Sequence, residues 1–211
     1  MALAAGALLH HHAKVVRILR ERGRAVGVEA VSVGGDGRPV RLVVRARAVV
    51  LAAGTLYTPL VLKDNALANG SGQVGKNLSI HPATKVMALF DETIDMSRGI
   101  PQSYTIDSLH REGILFEGAS TPLDVTAVAI PWVGRRFTEV IERYPNLATF
   151  GLMVKDTSRG RVLPGPGELP VIRYDLNRHD LERMQKGIAL LVELFLRAGA
   201  EGPRRAIAQR S

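Results

Sequence analysis

The chain has no cysteine among its 211 residues. Disulfides, thiolate nucleophiles, iron–sulfur clusters and cysteine-type zinc sites are therefore excluded. Aromatic residues make up only 5%, which argues against single-strand nucleic-acid binding, where bases stack on aromatic side chains. No apolar run reaches the roughly 18 residues of a membrane span. The richest stretch, Ala48 to Leu62, is interrupted by Gly54 and Pro59. The opening Met-Ala-Leu-Ala-Ala-Gly-Ala-Leu-Leu has no positive leader ahead of it, unlike a secretory signal. A cytoplasmic domain is the expectation.

What is present suffices for one ordinary core or two small ones: 46% of residues are hydrophobic and the mean hydropathy is +0.07. The charge is lopsided, at +8 overall. Nine basic and three acidic residues between Lys14 and Arg47 place +6 of it in that stretch. An anionic partner such as nucleic acid, an acidic surface or a phosphate-bearing cofactor would explain it. So would arginines on the wet face of a sheet.

The first third of the sequence has strand character. Lys14–Leu19, Ala25–Val33 and Arg41–Arg47 are separated by Glu21-Arg22-Gly23-Arg24 and Gly34-Gly35-Asp36-Gly37, which predicts a three-stranded antiparallel meander. The run Ala48–Ala53 is apolar on both faces, as a strand of a helix-covered parallel sheet would be. Gly54 then allows a sharp turn or a close approach to a ligand. Thr58 as N-cap and Pro59 at the first helical position predict a helix opening there. Strand, glycine and helix start together can bind phosphate, although many such turns bind nothing.

Beyond His81 short strands are predicted at 83–90, 103–106, 114–117, 148–154, 161–163 and 171–174, with a helix over 136–143. A long helix follows, with Asn177 as N-cap, Leu181, Met184, Ile188, Leu191 and Phe195 as its apolar stripe, and Gly199 just past its end. The expected domains are 1–80, with the meander, parallel strand and following helix; 81–200, an antiparallel sheet with helices; and a basic tail, 201–211.

Two motif matches carry little. Gly70-Ser71-Gly72-Gln73-Val74-Gly75 satisfies G-x-G-x-x-G, but it does not link a strand to a helix and is expected to be a loop. His10-His11-His12 would place His10 and His12 on one face of a strand, with no further ligand nearby. His81, fixed in direction by Pro82, is either a structural histidine or a site residue.

A resemblance extends this reading. Gly54-Thr55-x-x-Thr58-Pro59-x-Val61-Leu62, preceded by Ala46–Ala53, resembles the second signature of the glucose–methanol–choline (GMC) oxidoreductases. That signature continues as Ser-Gly-aliphatic-Gly, where this chain has Asn65-Ala66-Leu67-Ala68. Val74-Gly75-Lys76-Asn77-Leu78-Ser79-Ile80-His81-Pro82 is similar to the family's VGxNLxxHP element. Ala13–Leu19 with Gly23–Glu29, Asp156-Thr157-Ser158-Arg159-Gly160-Arg161-Val162 and Arg197-Ala198-Gly199-Ala200 also fit, so the likeness runs from about Ala4 to Glu201. Within the family the long-chain fatty-alcohol oxidase branch looks nearest.

The resemblance implies an α/β fold: part of a Rossmann-like FAD-binding domain with a three-stranded meander, plus an antiparallel substrate domain ending in a long helix. It implies FAD as cofactor, a small-molecule alcohol as substrate, and hydride transfer from CH–OH to the flavin. It places the backbone of Val15 against adenine, Ala53, Gly54 and Thr55 beside the cofactor, and Asn77 and His81 near the flavin or its substrate, where the two domains meet. Each also has a local reading: Val15 as core, Gly54 as a turn, Asn77 and His81 as loop hydrogen bonders. No catalytic base and no metal ligand is implied within the chain. The family's pyrophosphate loop and base-bearing segment would lie upstream and downstream, so the sequence reads as an enzyme's middle, inactive alone and needing a segment supplied in cis or in trans. The alternative is a non-catalytic basic module that binds nucleic acid or acidic surfaces through Arg17, Arg22, Arg24, Arg41, Arg45 and Arg47.

Overall fold

The computed structural model describes residues 1–35, 37–98, 100–201 and 207–208. The chain runs β1 (Ala13–Glu21), β2 (Arg24–Val33), β3 (Pro39–Arg45), α1 (Gly54–Asp64), β4 (Lys76–Leu78), β5 (Ala83–Leu89), β6 (Thr105–Ile106), β7 (Ile114–Gly118), α2 (Leu123–Val128), α3 (Arg135–Ile141), β8 (Leu147–Val154), β9 (Gly160–Pro164), β10 (Pro170–Arg173), α4 (Arg178–Arg197) and β11 (Ile207–Ala208). It divides into two compact units, Met1–Leu78 with Gly160–Arg173, and Ser79–Arg159 with Tyr174 onward.

The first unit holds the predicted meander, in the order β1-β2-β3, all antiparallel. Gly27 permits it: a Cβ there would lie 2.2 Å from the Val44 carbonyl oxygen, and its φ is +153°. A second small sheet, β10-β9-β4, carries the β9–β10 hairpin next to α1.

Two expectations are corrected in this unit. Residues 48–53 form no strand; Val50 is 87% exposed. A parallel strand needs neighbours for its backbone N–H and C=O groups, and all pairings among the described residues are antiparallel. The parallel, Rossmann-like part of the expected fold is thus not seen. The helix also opens at Gly54 rather than at Thr58, with Pro59 inside it. Pro59 stands midway along the helix's 11 residues, where it gives up the backbone bond its N–H would make one turn back.

The second unit is a five-stranded antiparallel sheet, β11-β5-β8-β7-β6. On one face Val86, Ala88, Ile114, Phe116, Leu152 and Val154 pack against Met184, Leu191 and Phe195 of α4. On the other, Met87, Leu89 and Leu147 meet Ala129, Ile130, Val140 and Tyr144 around α2 and α3. Alternation along β5 and β8 dictates this division. Helix α4 starts at the predicted cap, where Asn177 Oδ1 accepts the Asp180 N–H at 2.8 Å, and Gly199 follows it at φ +93°. Its buried face is Asp180, Met184, Gly187, Leu191 and Phe195. Leu181 of the predicted stripe is 45% exposed, because Asp180 takes the inward position. No helix among the described residues is long and apolar enough to cross a membrane. Of the expected basic tail, Glu201 pairs with Arg143, whereas 202–206 and 209–211 lie outside the described residues.

Candidate functional site

Val15 lies in edge strand β1, opposite Ala30, and is 38% exposed. Pairing shifts register between Val15 and Arg17, so Val16 is an extra residue that bends the strand. Lys14, Val15 and Val16 line a hollow of about 350 Å³ with Tyr57, Leu60 and Asp64 of α1. Asn65, at the helix end, ties helix to strand: its Oδ1 accepts the Ile18 N–H at 2.7 Å and its Nδ2 donates to the Val61 carbonyl at 2.9 Å. Composition and spacing gave no warning of that link, since only the departure from Ser was visible at position 65.

Ala53, Gly54 and Thr55 form the exposed start of α1. Ala53 provides no side-chain cap, so the first-turn N–H groups stay open to an acceptor. Gly54 has φ +74°, and nothing stands within 4 Å of where its Cβ would be. These three residues do not line the hollow at Val15, although both sites involve α1.

The Gly75–Leu78 element has a backbone explanation. Gly75 (φ +78°) passes so close to β9 that a Cβ would lie 2.5 Å from the Val162 carbonyl oxygen and 2.7 Å from Lys63 Nζ. Its own carbonyl accepts the Val162 N–H at 2.7 Å. Asn77 follows at φ +61°, skipped by the β4–β9 pairing, and its Nδ2 donates to Gln73 Oε1 at 2.9 Å. Asparagine tolerates this left-handed conformation better than other non-glycine residues. The G-x-G-x-x-G match just before it is a turn, in which Asn69 accepts the Gly72 and Val74 N–H groups. His10–His12 likewise form a turn before β1, not a strand.

In the second unit His81 is exposed and its neighbours are anchored. Asp156 accepts the Ser79 hydroxyl at 2.8 Å, the Ile80 N–H at 3.1 Å and the Tyr174 hydroxyl. Pro82 is buried, and its carbonyl accepts the Val154 N–H at 3.0 Å. Burial pushes the Asp156 carboxyl up, but the Tyr174, Ile80 and Ser79 donors and the Arg159 charge outweigh it, leaving its pKa below the usual carboxylate value. Next along the chain, Asp180 accepts the Thr157 N–H at 2.8 Å, the Ser158 N–H at 2.7 Å and the Ser158 hydroxyl at 2.5 Å. The Asp156–Ser158 motif therefore joins the His81 segment to the start of α4.

Part of the basic stretch is paired on the sheet surface. Glu29, 7% exposed in β2, pairs with Arg17 at 2.8 Å and with Arg41, while Arg45 pairs with Glu21 at 2.5 Å. The Arg41 hydrogen bond and the two guanidinium charges hold the Glu29 carboxyl below its ordinary pKa against burial. Three of the six arginines of the basic-module alternative are thus already engaged, and that reading finds no support.

The meander, the uncapped start of α1, the Gly75–Asn77 bulge and the anchored His81-Pro82 segment are the structural counterparts of the elements that resemble the GMC oxidoreductases. Residues 1–83 match a family model described as GMC oxidoreductase. A GMC-type oxidoreductase of Mycobacterium tuberculosis is 38% identical over 200 residues, covering 94% of this chain and 31% of that protein. One from Sinorhizobium fredii is 26% identical over 189 residues, 89% of this chain and 36% of its own. A long-chain-alcohol oxidase of Arabidopsis thaliana is 27% identical over 187 residues, 84% of this chain and 24% of its own. The chain spans about a third of the length of the first two relatives.

Proposed function

We propose that this chain supplies cofactor-side and substrate-side surfaces of an FAD-dependent oxidoreductase acting on the CH–OH group of small-molecule alcohols. The observation that carries the reading is the ordered series Gly54-Thr55, Gly75-x-Asn77 and His81-Pro82 in a chain whose residues 1–83 match the family model. The residues fit a nucleotide cofactor. The start of α1 is uncapped and exposed, with open space over Gly54, which suits a phosphate oxygen or a closely approaching ring. Strand β1 is a sheet edge, whose outward backbone groups suit the hydrogen-bonding rim of adenine.

In this reading the Val15 backbone meets adenine, and Ala53, Gly54 and Thr55 give their N–H groups and closeness of approach to the cofactor. Asn77 and His81 lie near the flavin or the alcohol, Asn77 through a rigid bulge and His81 through a segment held by Asp156. FAD, when bound, accepts the hydride from the alcohol carbon. The name of the Arabidopsis relative supports an alcohol as donor.

The test is a titration of the 211-residue chain with FAD, followed by flavin fluorescence. The chain's own G-x-G-x-x-G is a turn and provides no pyrophosphate cradle. Saturable binding with Kd of about a micromolar or weaker is expected, with colourless protein after gel filtration. Gly54→Asp, which sets a carboxylate against the phosphates, should weaken binding at least about tenfold. Absence of saturable binding, or indifference to Gly54→Asp, would overturn the cofactor assignment. Alcohol turnover by the chain alone with FAD would contradict the expectation that it is inactive without a further segment.

A further inference from the structure

Among the described residues of the second unit, α2 and α3 cover one end of the sheet face they meet. Met87, Leu89 and Leu147 lie beneath that cluster. One row further along, Lys85 of β5 and Glu117 of β7 both stand opposite Gly151 of β8. Since adjacent strands are ~4.8 Å apart, the two side chains rise about 10 Å from each other with a bare glycine between them. The result is a hollow of about 320 Å³, floored by Gly151 and bounded by Lys85, Glu117, Gln102, Ala83 and Met153. The charges on its two walls are not equivalent. Glu117 accepts a hydrogen bond from Gln102 Nε2 at 3.3 Å. Lys85 has no ion-pair or hydrogen-bond partner among the described residues, and burial alone pushes its pKa down.

A half-buried ammonium without a partner gains most from an anion brought to it. Glu117 across the notch repels a second negative charge, so a monoanion suits the hollow better than a phosphate dianion. Ala83 and Met153 offer apolar contact to a short carbon chain. We propose that this hollow binds the carboxylate of a small organic acid, with Lys85 as the residue that selects it. Resting on the alcohol-oxidation reading, the substrate class becomes a hydroxy acid, distinct from a plain long-chain alcohol.

The test uses the ¹⁵N-labelled 211-residue chain and four probes: hexanoate, 1-hexanol, inorganic phosphate and 6-hydroxyhexanoate. Hexanoate should shift the amides of Gly151 and Glu117 and saturate in the millimolar range, with 1-hexanol and phosphate at least about tenfold weaker. Lys85→Met should weaken hexanoate at least about tenfold, whereas Lys85→Arg stays within about threefold. Lys85→Gln repeats the test if the methionine variant alters the amide spectrum. Equal binding of 1-hexanol, an unchanged hexanoate affinity in the uncharged variants, or no saturable shift would overturn the proposal. 6-Hydroxyhexanoate should compete with hexanoate in this assay. Competition without oxidation by the chain completed with a cofactor-binding segment would sink the alcohol-oxidation reading while the hollow stands.

Discussion

Two alanines do a glycine's work in this chain. Ala66 and Ala68 both sit at φ +50°, in the left-handed region that costs an L-residue about 1–2 kcal/mol. They occupy the positions at which the resembled signature carries glycine, and through them the chain leaves α1 in left-handed conformation. Replacing both with glycine should raise stability, the strain relieved exceeding glycine's entropic cost by about 0.5 kcal/mol at each site. Differential scanning calorimetry should show Tm rising by about 2–4 °C in the double variant; an unchanged or lower Tm would contradict the account. Gly27→Ala is the opposite case. Its Cβ would meet the Val44 carbonyl oxygen at 2.2 Å, so β2 and β3 must part, at a cost of about 1–3 kcal/mol in a urea unfolding curve. At this scale the glycines were visible in the sequence, but which of them face backbone was not. That depends on the partner strand opposite.

At the scale of elements, the start of α4 is densely hydrogen-bonded. Asp180 is fully buried and accepts from the Thr157 and Ser158 backbones and from both their hydroxyls. Burial raises its pKa, but the Ser158 and Thr157 donors outweigh this and hold it below the ordinary value. A carboxyl depressed in the folded state stabilises above its unfolded pKa of about 4, and the stabilisation is lost as pH falls through the folded value. Stability should therefore decline below about pH 4, and Asp180→Ala should remove at least about 3 kcal/mol at neutral pH by stranding several donors. Tyr174 sets the other limit. Burial and its bond to Asp156 push its pKa up to about 12. Above the unfolded value of about 10 the phenolate favours the unfolded chain, so stability falls between about pH 10 and 12. Tyr174→Phe should flatten that alkaline fall in a pH-dependent denaturation series; an unchanged slope would contradict the assignment.

Helix α4 and the meander were legible in the sequence because cap, period and turn signals are local. Segment 48–53 misled because a doubly apolar run shows what a strand would bury, not whether neighbours exist to pair with it. Helix α1 misled for a related reason. Thr58-Pro59 is a strong local start signal, yet Gly54 turns the chain into the helix one turn earlier. The Asn65–Ile18 link and the Asp156 and Asp180 network were invisible because their partners lie 18 to 77 residues away.

For the whole molecule, the charge bias and the family relationship are compatible. Arg17, Arg41 and Arg45 of the meander are held by Glu29 and Glu21, so part of the basic face is engaged within the fold, while the uncapped start of α1 is the place proposed for an anionic cofactor. The candidate cofactor residues Val15, Ala53, Gly54 and Thr55 all belong to the first unit. Which residues pair across the meander could be predicted from turns and alternation. Which surfaces meet a cofactor could not, and that part came from the resemblance. The most direct test of the central claim is an amide-shift map of the ¹⁵N-labelled chain titrated with FAD. The account predicts that saturable shifts concentrate at Lys14–Arg17 and Ala53–Leu56, with the core of the five-stranded sheet unmoved. Shifts confined to the sheet of the second unit, or none at about 1 mM FAD, would contradict it.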